Sequence, residues 1–195
     1  MYFQQLPIGG FDSNFSYIIG DEATKEVFLV DPDNRPMIEQ ALKQQQLIPK
    51  AIILTHGHFD HIGVSPELAT EFNLPIYLHF ADLPIVQKQL PNLQDLAKSD
   101  ILQVGNLIIK IIHTPGHAAG AVCLHAETKL ITGDTVFVGR CGRVDLPGSD
   151  PQKLHESIQK LKQFPDNTEI WPGHDYGATP FSTIAREKTS NPHFL

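Results

Sequence analysis

The stretch THGHFDHIG, Thr55 to Gly63, places His56, His58, Asp60 and His61 within six residues. Imidazole and carboxylate groups ligate divalent metals through nitrogen and oxygen, and a merely solvated loop has no need to repeat one of them. Two positions apart on an extended segment, His56 and His58 project to the same side, so one ion gains two imidazoles. Gly57 between them is expected to keep bulk away from that ion. Asp60 and His61 are adjacent and would diverge on an extended strand, whereas in a turn or first helical turn both can face a second ion. The spacing predicts two metals.

Three further candidate ligands stand just beyond apolar runs and beside glycine: His117 in HTPGHAAG, Asp134 in ITGDT and His174 in WPGHDYG. Glycine lets the backbone turn sharply at such places. Together with THGHFDH they supply five imidazoles and two carboxylates. That is enough for two ions with three protein ligands each, one carboxylate between them and a position left for water.

The elements that must position these groups alternate along the chain. FSYII, EVFLV and AIIL read as strands bounded by Gly, Asp, Pro or Thr. A helix is predicted from about Pro36, with Met37, Ile38, Ala41 and Leu42 on one face. Ser65-Pro66 reads as the cap and first-turn proline of a second helix running through Leu68 and Phe72. PIYLH is the next strand, and LIIKIIH, AVCLHA and KLITG make a β-rich middle over residues 107–133. Asp150-Pro151 opens a helix carrying Leu154, Ile158 and Leu161 on one face; TEIWP is a final strand and STIAREK a short C-terminal helix. Two β-rich runs with intervening helices predict an α/β fold of two sheets packed face to face with helices outside, four layers in one domain over residues 1–195.

Composition narrows the function. At 195 residues, with 41% hydrophobic and 19% charged, the chain can bury the core of one domain. A net charge of -7 and a pI near 5.7, with no Lys/Arg cluster, exclude a nucleic-acid-binding surface. MYFQQLPIGG has neither a basic nor an apolar leader region, and no run approaches the ~18 apolar residues of a membrane span. The expectation is a soluble, cytoplasmic protein with no membrane partner. Cys123 and Cys141 give no disulfide framework, which fits a reduced compartment. Nothing in the sequence sets an oligomeric state.

THGHFDHIG, HTPGHAAG, TGDT and PGHDYG, in this order and spacing, resemble the motifs of the metallo-β-lactamase superfamily over nearly the whole chain. The resemblance implies the αββα sandwich. Position by position it implies His56, His58 and His117 around one metal, Asp60, His61 and His174 around the other, and Asp134 bridging. The implied cofactors are two divalent ions, zinc first, with iron or manganese as alternatives. The β-lactamases of this fold usually carry cysteine where Asp134 stands and are exported, so antibiotic hydrolysis is not expected. The nuclease branches need a phosphate-binding surface that this composition does not offer.

Two branches acting on glutathione-linked substrates are more similar. GDTVFVGRCGRVD resembles the GCGK segment of glyoxalase II, the hydroxyacylglutathione thioesterase, and the GCGRTD segment of the persulfide dioxygenases; HDY is similar to both. On either match Arg143 and Tyr176 stand where the family holds glutathione, a cation for a carboxylate and a phenol that donates a hydrogen bond. An ion pair between Arg143 and Asp145, and simple packing of Tyr176, are the structural alternatives. Classical glyoxalase II continues into a C-terminal helical domain and has tyrosine in place of Asp145. The likeness is therefore to the short, single-domain glyoxalase II-like hydrolases of bacteria, to which the C-terminal STIAREKTSNPHFL is also similar.

The implied reaction is hydrolysis of a thioester such as S-D-lactoylglutathione by a metal-activated hydroxide, with Asp60 as ligand and as the group that orients the nucleophile or accepts its proton. One alternative is dioxygenation of glutathione persulfide at a single iron. Another is a non-catalytic metal-binding module, against which a cysteine-free ligand set with an open position argues. His79 and His113 are read either as partners fixing a ligand's tautomer or as structural histidines, Cys141 as a small gap filler, and His125, His155 and His193 as surface residues.

Overall fold

The computed structural model describes residues 1–9 and 12–194. One sheet contains β1 (Tyr2–Pro7), β2 (Phe15–Gly20), β3 (Glu26–Val30), β4 (Ile48–Ile53), β5 (Ile76–Leu78) and β6 (Leu93–Asp95), hydrogen-bonded in that order. It is antiparallel from β1 to β3 and parallel from β3 to β6. The other begins with β7 (Ile101–Val104), β8 (Leu107–His113), β9 (Val122–Ala126) and β10 (Lys129–Gly133). After a small hairpin of β11 (Val136–Phe137) and β12 (Arg140–Cys141) it ends with β13 (Glu169–Pro172) and β14 (Ser182–Thr183), giving the order β14-β13-β10-β9-β8-β7. Helices α1 (Arg35–Gln45), α2 (Phe59–Ile62) and α3 (Ser65–Glu71) interrupt the first sheet; α4 (Pro151–Leu161) and α5 (Ile184–Ser190) belong with the second.

Period-two side-chain direction divides the interior into three cores. Along β2 to β4, Phe15, Tyr17, Ile19, Phe28, Val30, Ala51 and Ile53 meet Leu107, Ile109, Val122 and Leu124 of the second sheet. The alternate residues Ile18, Val27, Leu29 and Ile52 point the other way, onto Ile38, Ala41 and Leu42 of α1 and Leu68 and Ala69 of α3. Cys123, Leu130 and Ile170 of the second sheet cover Leu154, Ile158 and Leu161 of α4. Helix, sheet, sheet, helix is the αββα order. Each fully buried aliphatic side chain here contributes roughly 2 kcal/mol of transfer free energy. With both faces covered, every residue of β2 is buried.

Among the described residues α1, α4 and α5 start on a side-chain cap, whereas α2 and α3 do not. The Asn34 side chain accepts the Met37 N–H at 3.1 Å, and Asp150 accepts from Gln152 and Lys153. The expectation that Ser65 caps α3 fails: Val64 holds the cap position and Ser65 is already helical. Among the described residues buried Ser65 Oγ has no hydrogen-bond partner, so the first-turn proline sets this start without a side-chain cap. At the other end, Ser182 and Thr183 pair with β13 before α5 begins, and Thr183 caps it through Arg186 N–H at 3.2 Å. Among the described residues no helix is long and apolar enough to cross a membrane.

Candidate metal centre

Each sequence-assigned ligand stands just past the end of a strand or on the single helical turn α2. His56 and His58 follow β4, His117 follows β8, Asp134 follows β10 and His174 follows β13, while Asp60 and His61 ride on α2 with His58 at its cap position. All seven converge. His56, His58 and His117 form one triad, Asp60, His61 and His174 another, and His56, His61 and Asp134 a third; within each, the ligand atoms lie within 4.8 Å of one another. Asp134 spans the groups: Oδ2 is 3.4 Å from His117 Nε2 and 3.2 Å from His174 Nε2, and Oδ1 is 3.3 Å from His61 Nε2. Asp60 Oδ2 lies 3.6 Å from His174 Nε2 and 3.7 Å from His61 Nε2.

The donor set fits divalent metals on its own chemistry. His58 Nδ1 faces His117 Nε2 at 2.9 Å, and His61 Nε2 faces His174 Nε2 at 3.2 Å. Neutral imidazole nitrogens meeting this way need a proton or a cation between them. Among the described residues buried His56 Nε2 and Asp134 Oδ1 also have no hydrogen-bond partner, although His61 Nε2 approaches Asp134 Oδ1 at 3.3 Å. Such atoms cost about 1–3 kcal/mol each when left unpaired, and cations held by nitrogen and carboxylate oxygen satisfy them together.

Groups behind the ligands fix the rings. Asp31 Oδ2 holds His61 Nδ1 at 2.9 Å and accepts the Thr55 hydroxyl at 2.6 Å, and Thr55 Oγ1 in turn meets His56 Nδ1 at 3.1 Å. His117 Nδ1 pairs with the Arg143 carbonyl at 2.9 Å and His174 Nδ1 with the Asp12 carbonyl at 2.8 Å. In all four rings Nδ1 is tied back to the protein and Nε2 is left for the cluster. Buried Asn14 donates to Asp60 Oδ2 at 3.2 Å. None of these partners was assigned from sequence, although Asp31 follows EVFLV as the ligands follow their own strands. His79 and His113 instead stack on each other, centroids 4.2 Å apart, and hydrogen-bond Ala81 N–H and the Ala119 carbonyl. Of the three histidines read as surface residues, His125 is half-buried against Phe164.

The expected role of Gly57 needs correction. A Cβ there would lie 2.9 Å from Asp82 Cβ, so the glycine makes room for a buried carboxylate rather than for an ion. Asp82 accepts Gly57 N–H at 2.9 Å and Gly120 N–H at 2.5 Å, joining the loop of His56 and His58 to the loop of His117. Gly173 has the role first given to Gly57: its Cβ would stand 2.3 Å from Asp134 Oδ1 and 2.8 Å from His61 Cε1.

Electrostatics separate the ligands. Burial pushes His56 well below the ordinary histidine value and His58 down to about 4, with neighbouring imidazoles adding to it. Burial also opposes charge on His61 and His174, but Asp134, joined by Asp31 at His61, outweighs it and raises both. Those two imidazoles hold Asp134 well below the carboxylate range despite its burial.

A cavity of about 690 Å³ opens over the cluster, lined by His58, Asp60, Asp134 and His174 on its floor and by Pro84, Ile85, Val86, Leu146 and Pro147 on its walls. Arg143, Tyr176, Arg140 and Cys141 line it as well. Arg143 is paired through Nε and Nη2 with Asp145 at 2.6 and 2.7 Å, and the Tyr176 hydroxyl donates to Asp12. The Tyr176 ring stacks on His174 at 4.7 Å. Both structural alternatives for these residues are therefore realised, alongside their place on the cavity wall.

An αββα sandwich with a cluster of imidazoles and carboxylates beneath a cavity is the architecture of a metal-dependent hydrolase. The family model described as metallo-beta-lactamase superfamily matches residues 9–174, and the chain belongs to that superfamily. It is 34% identical over 184 residues to the probable polyketide biosynthesis zinc-dependent hydrolase BaeB of Bacillus velezensis, covering 93% of this chain and 82% of that one. It is 32% identical to the hydroxyacylglutathione hydrolase of Nitrosomonas europaea, covering 88% of this chain and 63% of the relative's length. Among solved structures, the BLEG-1 B3 metallo-beta-lactamase superposes with a TM-score of 0.84 at 31% identity, and TTHA1623 in a di-iron-bound form with 0.82 at 31%, each over 100% of both chains. ETHE1 from Myxococcus xanthus gives 0.83 at 29%, over 100% of this chain and 88% of that one.

Proposed function

We propose that this metallo-hydrolase cleaves a thioester, with zinc as its metal, and that S-D-lactoylglutathione represents the substrate class. The observation that carries the reading is the position of Asp134, 3.2–3.4 Å from His61, His117 and His174, beneath a cavity of about 690 Å³. The glutathione assignment draws on the hydroxyacylglutathione hydrolase relatives, and the zinc assignment on the zinc-dependent ones.

In this reading His56, His58 and His117 hold one ion, Asp60, His61 and His174 the other, and Asp134 lies between them. The ions, when bound, supply hydroxide near neutral pH and polarise the carbonyl oxygen. Asp60, aligned by Asn14 at Oδ2, faces the cavity, where the other oxygen of its carboxylate orients the attacking water and accepts its proton. Pro84, Ile85 and Val86 exclude bulk water from one side of the substrate. A thiolate leaves without help from a strong acid, so the chain needs no protonated group over the sulfur.

The full-length match to a β-lactamase makes a β-lactam the rival carbonyl substrate. Hydrolysis by the metal-replete protein of S-D-lactoylglutathione, set against a chromogenic cephalosporin, separates the two.

A further inference from the structure

The polar groups that the motif resemblance assigns to glutathione are engaged within the protein. Arg143 has two donors of its planar fork on Asp145, and Tyr176 has its proton on Asp12. Arg140 is different. It lines the same cavity, and among the described residues no acidic side chain lies within ion-pairing distance of it.

The mount under Arg140 is rigid. Phe137, its partner across the β11–β12 hairpin, sets its ring edge against His174 at 5.7 Å and Tyr176 at 5.0 Å. On the other side α5 and its C-terminal cap contribute two fully buried polar residues, Glu187 and Asn191. Glu187 Oε2 accepts Gly139 N–H at 2.8 Å, and Asn191 Nδ2 donates to the Arg140 carbonyl at 3.0 Å and to Glu187 Oε2 at 2.8 Å. Ser182 Oγ donates to the remaining Glu187 oxygen at 2.5 Å. A buried carboxylate is costly unless it is satisfied, and two of the partners satisfying this one set the backbone on either side of the Gly139–Arg140 peptide. The turn therefore holds Arg140 on the wall of the cavity that the metal ligands share, with little backbone freedom left to lose on binding.

We infer that Arg140, rather than Arg143, is the specificity-determining cation of this pocket and takes a carboxylate carried by the thiol half of the substrate. A free guanidinium offers a bidentate fork to a carboxylate, whereas Arg143 must first give up Asp145. The inference rests on the thioester reading for its choice of glutathione as the thiol half, but binding tests it without turnover.

The experiment is calorimetric binding of S-methylglutathione, and of its diethyl ester, to metal-replete wild-type protein and to Arg140→Gln and Arg143→Gln. Arg140 is exposed, so its replacement leaves the fold in place. The expected result is about tenfold weaker binding of the acid to Arg140→Gln, a change under twofold for the ester, and under threefold for either probe with Arg143→Gln. Equal losses for acid and ester, a larger loss in Arg143→Gln, or a wild-type protein that does not distinguish the two probes would overturn the assignment. Discrimination that depends on Arg140 in a protein that cleaves no thioester would leave the assignment standing and remove the hydrolase reading.

Discussion

Asp31 and His61, thirty residues apart and both buried, are joined at 2.9 Å between Oδ2 and Nδ1. The same carboxylate accepts the Thr55 N–H at 2.7 Å and its hydroxyl at 2.6 Å, so one side chain sets His61 directly and His56 through Thr55. Asp31→Asn keeps the shape but removes the charge and one acceptor. The expected outcome is a 10–100-fold loss of metal affinity in a protein of unchanged circular dichroism, read by competition with a chromophoric chelator.

Asp82 ties two ligand loops together through Gly57 N–H and Gly120 N–H. Asp82→Ala leaves both donors buried without acceptors, and Gly57→Ala drives a methyl group to 2.9 Å from Asp82 Cβ. Each is expected to destabilise the metal-free protein by about 2–4 kcal/mol, measured by urea denaturation.

The raised values of His61 and His174 give metal binding a pH dependence of definite sign. Both rings keep a proton further up the pH scale than an ordinary histidine and must lose it to ligate, so binding releases protons and apparent affinity rises with pH through neutrality. His58, pushed down to about 4, is already neutral there and releases none. Calorimetry in buffers of different ionisation enthalpy reads this directly, with net proton release as the expected result.

Much of this was legible in the sequence because burial on both faces leaves a strong mark. EVFLV appears as β3 residue for residue, and the ligands are conspicuous because histidine and aspartate beside glycine interrupt such apolar runs. The edge strands β6, β7 and β14 are three, four and two residues long, too short for apolar alternation to announce them. Asp82 sits in a short 3-10 turn beyond β5, with nothing local to show that its partners lie 25 and 38 residues away. Gly57 was misassigned for the same reason, since the atom it makes room for comes from a distant segment. Arg140 and Arg143 look alike in GRCGR, and only the tertiary arrangement shows which one is already paired.

Asp134 reaches ligands of both outer triads within 3.4 Å, so the two-metal reading stands on it. The most direct measurement is hydrolysis of S-D-lactoylglutathione, followed by loss of thioester absorbance alongside metal content per chain, for the zinc-replete protein and for Asp134→Ala. The expected result is turnover with two metals bound in the wild type, and in the variant a fall in rate of about a thousandfold or more with metal lost. Absence of thioester cleavage in the metal-replete wild type, or full activity in Asp134→Ala, would contradict it.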